Sequence, residues 1–176
     1  MKVAYQGTIG AFSHQAALDF LPEFEPVAKT SFEDVIAAVE SGEAERGILP
    51  VENNEAGPTG ARELIAASGV QVLAEHVLPI RMHLLGVAGA KLEQIRAVVS
   101  HPIALKQCAR SIALLDVETQ ETSNTAVAAQ QLSNPNRAVL ASEAAARAYG
   151  LDILKADMHD RPDNATTFAV LARAEA

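Results

Sequence analysis

Short strand-like segments alternate with helix-like segments along most of the chain, and this alternation limits the fold more than any other feature. A strand is predicted at residues 2–5 and a helix at 13–20, and the same order recurs as far as a strand at 167–171. Strands separated by helices form parallel sheets through right-handed crossovers. About ten short strands are predicted, whereas an open sheet usually holds about 4–6 strands. The pattern therefore predicts an α/β protein with two smaller sheets.

Two chain crossings are predicted to connect two lobes. Pro79 ends the first run of elements, and the turn around Pro162 brings the chain back. Residues 1–79 and 160–176 then form lobe one, and residues 80–159 form lobe two. Clefts between hinged lobes are common sites for small ligands, so we expect a site in the interlobe cleft.

Composition excludes several classes of function. The 14 Lys and Arg residues against 22 Asp and Glu residues give a net charge of −8, which leaves no basic excess to neutralise a nucleic acid. No stretch approaches the ~20 apolar residues of a membrane span, and the first residues form no signal region. The single cysteine, Cys108, fits a reducing compartment. The spacings of zinc sites and of GxSxG nucleophiles are absent. We expect a cytoplasmic protein without a metal.

Polar loops follow four of the predicted strands, at the ends where open α/β sheets bind ligands. Their sequences are GTIGAFSH at 7–14, PVENNEAG at 50–57, SHPIALKQC at 100–108 and TSNTAVAA at 122–129. Taken singly, each loop is explained by a turn or a helix cap. Together their amides, hydroxyls and helix N-termini indicate a site for a small dianionic organic acid.

The stretch RPDNATTFAV at residues 161–170 joins a turn to the last predicted strand. Pro162, Asp163 and Asn164 favour the turn. Thr166 and Thr167 stand at the junction, where a β-branched residue suits the start of a strand. The alternative is that one of the two hydroxyls faces a site.

In order and spacing, these stretches resemble the prephenate dehydratase family along essentially the whole chain. The matching segments are VAYQGTIGAFSHQAA, GILPVENNEAG, SHPIALKQC, TSNTAVAA, ASEAAARAYGL and DNATTFAVL. The resemblance implies a fold like the type II periplasmic binding proteins, with two lobes, each a mostly parallel sheet flanked by helices. It implies that prephenate loses water and CO2 to give phenylpyruvate in L-phenylalanine biosynthesis, with no cofactor.

The resemblance also assigns roles to residues of this chain. The threonine of the family's TRF motif, credited with helping the ring hydroxyl to leave, falls on Thr166. We expect Thr166 to act as a positioned hydrogen-bond donor. The residues expected to bind the substrate are Ser13, Asn53, Asn54, Ser100, His101, Ser123, Thr125, Thr167 and Phe168.

Thr167 departs from the family pattern, because it stands where the motif has an arginine. A guanidinium pairs with a carboxylate in a way that a short hydroxyl does not, so we expect weaker substrate binding. Arg62 and Arg81 are the candidates for a substitute cation. Asn54, Ile103 and Asn124 also differ from the family's motifs.

Two other functions stay open. One is a related prephenate-processing activity, such as a decarboxylase that leaves the ring non-aromatic; the retained Thr166 argues against it and the missing arginine keeps it open. The other is a non-catalytic sensor of a small carboxylate. Many family members continue into an ACT regulatory domain with an ESRP-like motif, which this sequence lacks, so feedback inhibition through that domain is not expected. The family's common dimers make a homodimer the expected assembly.

Overall fold

A computed structural model describes residues 1–174 and confirms an α/β fold built on two sheets. Each sheet belongs to one of two compact units. The first unit contains residues 1–8, 12–80 and the chain from Asn164 onward, and the second contains residues 9–11 and 81–163. The chain therefore leaves the first unit after Ile80 and returns to it at Asn164, whereas sequence analysis predicts these crossings at residues 79 and 160.

Helices and strands alternate over the described chain. In order, the elements are β1 (Lys2–Gln6), α1 (Phe12–Phe20), β2 (Glu25–Lys29), α2 (Phe32–Ser41), β3 (Arg46–Asn53), β4 (Gly57–Pro58), α3 (Ala61–Ala66), β5 (Val70–Pro79), β6 (His83–Gly86), a 3-10 helix (Leu92–Gln94), β7 (Ala97–Ser100), α4 (Pro102–Gln107), α5 (Ala109–Ala113), β8 (Glu118–Glu121), α6 (Thr125–Gln130), β9 (Arg137–Ala141), α7 (Glu143–Tyr149), β10 (Asp152–Lys155) and β11 (Ala165–Arg173). Among residues 1–174, no helix has the length and apolar character needed to cross a bilayer.

The sheet of the first unit has the strand order β2-β1-β3-β11-β5, with β4 paired to β3. Strand β1 runs parallel to β2 and β3, whereas β11 runs antiparallel to both β3 and β5. The sheet is therefore mixed, and the expectation of a mostly parallel sheet is wrong for this unit. The reason is the returning chain: β11 starts beside the end of β3, and a strand that enters at that edge runs back along its neighbour without a crossover helix.

The sheet of the second unit has the strand order β10-β6-β9-β7-β8 and is also mixed. Strands β9, β7 and β8 run parallel, whereas β6 runs antiparallel to β9 and β10. The expectation of a mostly parallel sheet is wrong here too. The parallel strands β7, β8 and β9 end at one edge, and the antiparallel strand β6 begins at that edge with His83 opposite Ala141.

Local sequence determines where α2 begins and ends. The hydroxyl of Ser31 accepts a hydrogen bond from Asp34 N at 3.1 Å, and the Asp34 carboxylate accepts one from Ser31 N at 3.2 Å. This reciprocal capping box satisfies two backbone donors that the first turn leaves unpaired. Gly42 ends the helix at a φ of 79°, a left-handed conformation that glycine adopts without a Cβ clash. The predicted N-cap at Ser31 is confirmed.

The helix predicted at 103–114 is two helices, α4 and α5, which are separated at Cys108. The cause is distant in sequence. The carboxylate of Asp160 accepts hydrogen bonds from Arg110 N at 3.0 Å and Ser111 N at 3.3 Å, so it caps a new helix at that point. The last strand begins at Ala165 rather than at Thr167, because β11 pairs with β5 from Ala165 onward. Thr166 therefore lies within a strand.

We expect the substitution Ser31→Ala to lower the free energy of unfolding by about 1 kcal/mol, because it removes the side-chain acceptor of the capping box. Urea unfolding followed by circular dichroism measures the change. Ser133→Ala, at an exposed serine outside any helix, is the control and should leave stability unchanged. Equal midpoints for the two variants would contradict a stabilising role for the cap.

Candidate functional site

In the first unit, polar side chains gather where β3 ends and β11 begins. Asn53 closes β3, and Thr166 lies opposite it near the start of β11. The parallel strands β1 and β3 end at this edge, which is where open α/β sheets place their ligand sites. The loop after β1 and the first turn of α1 follow β1 at the same edge. This edge contains Asn53, Asn54 and Thr166 from the predicted site.

The side-chain amide of Asn53 joins three oxygens of the incoming strand. Its Nδ2 donates to Asn164 Oδ1 at 3.0 Å, to the Ala165 carbonyl at 3.1 Å and to Thr166 Oγ1 at 2.9 Å. These bonds attach the end of β3 to the start of β11. They also hold the Thr166 hydroxyl in one place.

The other end of the same amide is fixed as well. Asn53 Oδ1 accepts hydrogen bonds from Glu55 N at 3.0 Å and Ala56 N at 2.8 Å. Both backbone nitrogens are donors, so the oxygen of the amide must face them and the nitrogen must face β11. The orientation of Asn53 is therefore determined by its surroundings.

Thr166 is 8% exposed, and its hydroxyl oxygen accepts the hydrogen bond from Asn53. No acceptor for the Thr166 hydroxyl proton occurs among residues 1–174. A hydroxyl that accepts a hydrogen bond is polarised and becomes a better donor. Thr166 is thus a hydrogen-bond donor in a fixed position, with its proton uncommitted.

Thr167 and Phe168 have different surroundings. Successive residues of a strand point to opposite faces of the sheet, so Thr167 lies on the opposite face from Thr166. On that face its cross-strand neighbours are Glu52 and Val77. Phe168 is 1% exposed and packs in the core of the unit, where its ring has almost no surface to offer to a ligand.

The remaining predicted residues of the first unit differ in their contacts. Asn54 fastens the start of β11, because its Oδ1 accepts from Ala165 N at 2.9 Å and its own N donates to the Ala165 carbonyl at 3.0 Å. Ser13 lies in the first turn of α1 and is 8% exposed. Within the described part of the chain its hydroxyl has no hydrogen-bond partner.

Neither candidate arginine is free of an acidic partner. Arg62 donates two hydrogen bonds to the Glu75 carboxylate, at 2.5 and 3.2 Å. The bond to Glu75 raises the pKa of Arg62, and the charge of Glu52 adds to this effect. Arg81, in the second unit, is 3.9 Å from the Asp157 carboxylate, and both side chains are exposed. Arg62 is therefore committed to Glu75, whereas Arg81 has only a long ion pair.

In the second unit, a chain of hydroxyls lies where β7 and β9 end. Ser100 Oγ donates its only proton to the Leu140 carbonyl at 3.1 Å. In the bond between Thr125 Oγ1 and Ser100 Oγ, also 3.1 Å long, the donor must therefore be Thr125. Thr125 Oγ1 also accepts from His101 N at 3.0 Å. Ser100 is fully buried. Both hydroxyl protons are therefore committed to bonds that hold the strand ends and α6 together.

His101 and the start of α6 complete this part of the second unit. His101 Nδ1 accepts from Ile103 N at 3.2 Å, which leaves Nε2 as the donor of the neutral ring. The N-cap of α6 is Asn124, whose Oδ1 accepts from Val127 N at 3.1 Å. Ser123 is exposed and precedes the cap, and Thr125 is the first helical residue.

His83 begins β6 at the same edge and is 7% exposed. Its Nδ1 accepts from Asp157 N at 3.1 Å. Burial lowers the pKa of His83; the charges of Asp157 and Glu143 act in the opposite direction, and those of His159 and Arg81 add to the lowering. His83 is therefore held as a neutral imidazole. No motif in the sequence marks it.

Sequence reasoning assigns Asn164 only to the turn before β11. The structure brings its side chain into contact with Asn53, which is 111 residues away. The signal in the sequence is the asparagine of the NATTF stretch itself. Its contact with Asn53 becomes apparent only when the strand that pairs with β11 is known.

A family model described as prephenate dehydratase matches residues 3–176. The Arabidopsis thaliana protein named arogenate dehydratase/prephenate dehydratase 1, chloroplastic, is 37% identical over 98% of this chain, and the chain spans 45% of that relative's length. A solved structure titled GqqA, a novel type of quorum quenching acylases, matches 100% of this chain and 65% of its own with a TM-score of 0.92 and 30% identity. Prephenate dehydratase from Arthrobacter aurescens in complex with L-Phe matches 100% of this chain and 61% of its own, with a TM-score of 0.87 and 25% identity.

We expect Asn53→Ala to lower the free energy of unfolding by about 2–4 kcal/mol, because it removes several hydrogen bonds between β3, its following turn and β11 and leaves buried groups unpaired. Chemical denaturation measures the loss. Asn134→Ala is the control, because Asn134 is exposed and, among the described residues, its side chain accepts one hydrogen bond, from Asn136 N. A loss no larger than that of the control would show that the amide does not hold the strands together.

We expect His83 to make the folded state less stable in mild acid. Because its folded pKa lies below the ordinary value of 6.5, the unfolded chain binds the proton first as the pH falls. This contribution to stability is complete above about pH 6.5 and is lost as the pH falls toward the folded pKa. His83→Gln should therefore flatten the decline in unfolding free energy between about pH 7 and pH 5, measured by urea titrations. Parallel pH profiles for the two proteins would contradict this assignment.

Proposed function

We propose, because the chain belongs to the prephenate dehydratase family, that it catalyses the decarboxylative dehydration of prephenate to phenylpyruvate. This activity makes it a hydro-lyase of L-phenylalanine biosynthesis. The observation that carries the proposal is the Thr166 hydroxyl, which accepts from Asn53 and keeps its own proton available. The family match indicates which reaction to expect, and the fixed Thr166 hydroxyl is a group suited to assist the departure of the ring hydroxyl.

The reaction needs a proton donor and no redox partner. The bond between the ring and its carboxylate breaks, CO2 departs, and the electron pair enters the ring. The bond between the ring and its hydroxyl breaks at the opposite carbon, and the oxygen takes its pair and a proton to leave as water. The ring becomes aromatic, which supplies the driving force. A hydrogen bond to the departing oxygen lowers the barrier, because negative charge develops there.

Thr166 is suited to that hydrogen bond. Its oxygen is fixed by Asn53 at 2.9 Å, so no reorganisation is needed when charge develops on the substrate. A threonine hydroxyl is a weak acid, so we assign it as a positioned donor to the departing hydroxyl. The proton that the oxygen finally keeps comes from solvent, with Thr166 as the immediate donor.

The substrate's two carboxylates need further donors. Ser13 Oγ, which belongs to the same unit as Thr166, has no proton acceptor in the described chain and supports this role best. Within the second unit, taken by itself, His101 Nε2 also has no acceptor among the described residues. Ser100 and Thr125 support it indirectly, because Thr125 Oγ1 accepts from His101 N and is itself bonded to Ser100 Oγ, so that the two hydroxyl groups position the loop that bears His101. Arg81 is the better of the two candidate cations, since Arg62 is paired with Glu75.

The missing arginine weakens this proposal less than the family comparison suggests. Residue 167 lies on the opposite face of β11 from Thr166, with Glu52 as a cross-strand neighbour. An arginine at this position would lie beside the Glu52 carboxylate. We therefore propose that threonine at 167 removes a cross-strand ion pair and leaves the donor at Thr166 intact.

The substrate's side chain is a second question. Relatives are named for arogenate as well as prephenate dehydration, which supports arogenate as an alternative substrate. The two compounds differ where prephenate has a keto oxygen and arogenate an ammonium group. Parallel assays with the two compounds, comparing kcat/KM, decide between them.

A cytoplasmic location and a homodimer belong to the same proposal. The lone cysteine, Cys108, is buried and has no second cysteine in the chain with which to form a disulfide, which supports a reducing compartment. Ile103 on α4 is 55% exposed and Leu114 beyond α5 is 81% exposed, and these apolar groups support an interface between two copies. Analytical ultracentrifugation tests the dimer, and Ile103→Asp should shift it toward the monomer.

The decisive experiment replaces Thr166 with valine, which has nearly the same shape and no hydroxyl. We expect kcat for phenylpyruvate formation to fall about 100-fold to 1,000-fold, the effect of removing one donor to a developing charge. Phenylpyruvate is followed by its absorbance in alkali, with the uncatalysed conversion of prephenate subtracted.

Thr166→Ser is the matched variant, because it restores the hydroxyl, and it should recover most of the activity. Circular dichroism and thermal melts establish that both variants fold. Turnover by Thr166→Val equal to that of the wild type would remove Thr166 from the reaction. Release of CO2 with a non-aromatic product would favour the decarboxylase, and binding without product would favour the sensor.

A further inference from the structure

Asn164 has an amide nitrogen that the proposed reaction leaves without a role. The residue is 3% exposed, and its Oδ1 accepts the hydrogen bond from Asn53 Nδ2 at 3.0 Å. Its Nδ2 is buried and has no hydrogen-bond partner within residues 1–174. Proteins leave few buried donors unpaired, because nothing offsets the loss of their hydration. Such a donor next to a candidate catalytic residue points to a ligand.

The unpaired atom of Asn164 is a nitrogen and not a misplaced oxygen. Asn53 must present its nitrogen to Asn164, because its own Oδ1 accepts from Glu55 N and Ala56 N. An exchanged amide at Asn164 would place two donor groups against each other. The hydrogen-bond network therefore leaves the Nδ2 of Asn164 free.

Asn164 and Thr166 are anchored to the same atom. Asn53 Nδ2 lies 3.0 Å from Asn164 Oδ1 and 2.9 Å from Thr166 Oγ1. The two side chains with uncommitted donors, Asn164 and Thr166, are thus held close together at the start of β11. Two preorganised donors aimed at one oxygen are the usual means of stabilising a developing negative charge.

We infer that Asn164 is a further catalytic residue whose Nδ2 donates a hydrogen bond to the ring-hydroxyl oxygen of the substrate as its bond to the ring breaks. The inference rests on the proposed function. In this step the oxygen leaves with the electron pair of the C–O bond and is protonated to water. The amide of Asn164 keeps its protons throughout and stabilises the charge on the departing oxygen beside the Thr166 hydroxyl.

This role predicts which kinetic constant changes. The hydrogen bond strengthens as charge develops, so its loss lowers kcat and leaves KM nearly constant. A donor to a substrate carboxylate would act in the bound ground state, and its loss would raise KM. A buried water on Nδ2 would give no kinetic effect at all.

The experiment uses Asn164→Asp, which keeps an oxygen for the bond from Asn53 and replaces the free N–H groups by an acceptor. At pH 8 we expect kcat to fall about 10-fold to 100-fold and KM to change less than about threefold. Burial raises the pKa of a carboxyl group, and its protonated form donates again. The deficit in kcat relative to the wild type should therefore shrink as the pH falls toward about 5, after subtraction of the uncatalysed rate.

Asn134→Asp is the control, because it adds the same charge at an exposed turn in which its oxygen still accepts from Asn136 N. Its kcat should match that of the wild type. Asn164→Ala removes the donor without adding charge and should show the same loss in kcat, but no recovery at lower pH. Thermal melts report the folded state of each variant.

Three results would overturn the inference. They are a kcat within about twofold of the wild type in both Asn164 variants, a loss confined to KM, and a deficit in Asn164→Asp that does not change with pH. The two proposals fail separately. Wild-type protein that forms no phenylpyruvate overturns the proposed function as well, whereas active wild type with equally active Asn164 variants overturns only the inference on Asn164.

Discussion

The first unit depends on one side-chain amide. Asn53 ends β3 and donates from a single nitrogen to three oxygens at the start of β11, at 2.9 to 3.1 Å. Because the chain, having left this unit after Ile80, returns to it at Asn164, those bonds fix where the last strand enters the sheet. They also set the position of Thr166, since the hydroxyl is one of the three acceptors. The same hydrogen bonds thus determine both the pairing of β11 with β3 and the position of the Thr166 hydroxyl.

The two units use their polar groups differently. In the second unit the hydroxyl protons of Ser100 and Thr125 are both committed, and the bonds they make hold strand ends and a helix start in place. In the first unit, Thr166 and Asn164 accept hydrogen bonds while their own donors stay uncommitted. A committed donor stabilises the fold, whereas a free donor in a fixed position is available to a substrate. This contrast separates residues suited to a role in the reaction from residues that stabilise the fold, although their side chains are of the same types.

Much of the fold was predictable from local chemistry. The strand at Ala97–Ser100, the helix at Glu143–Tyr149 and the cap at Ser31 follow from β-propensity, side-chain periodicity and capping, all of which act within a few residues. The break between α4 and α5 was not predictable, because it depends on the carboxylate of Asp160, 50 residues away from Arg110. The direction of β11 was not predictable either, since strand pairing joins segments that the sequence leaves far apart.

The sequence by itself determined the α/β alternation and the polar loops, and its motifs indicated the family. Each of these features depends on residues that are close together in the chain. Only the tertiary structure decided which polar atoms meet. It placed Asn164 against Asn53 across 111 residues, put Thr166 and residue 167 on opposite faces of one strand, and engaged Arg62 with Glu75. The physical reason is that a hydrogen bond needs a distance and a direction, and these depend on strand register, which residues remote in the chain set together.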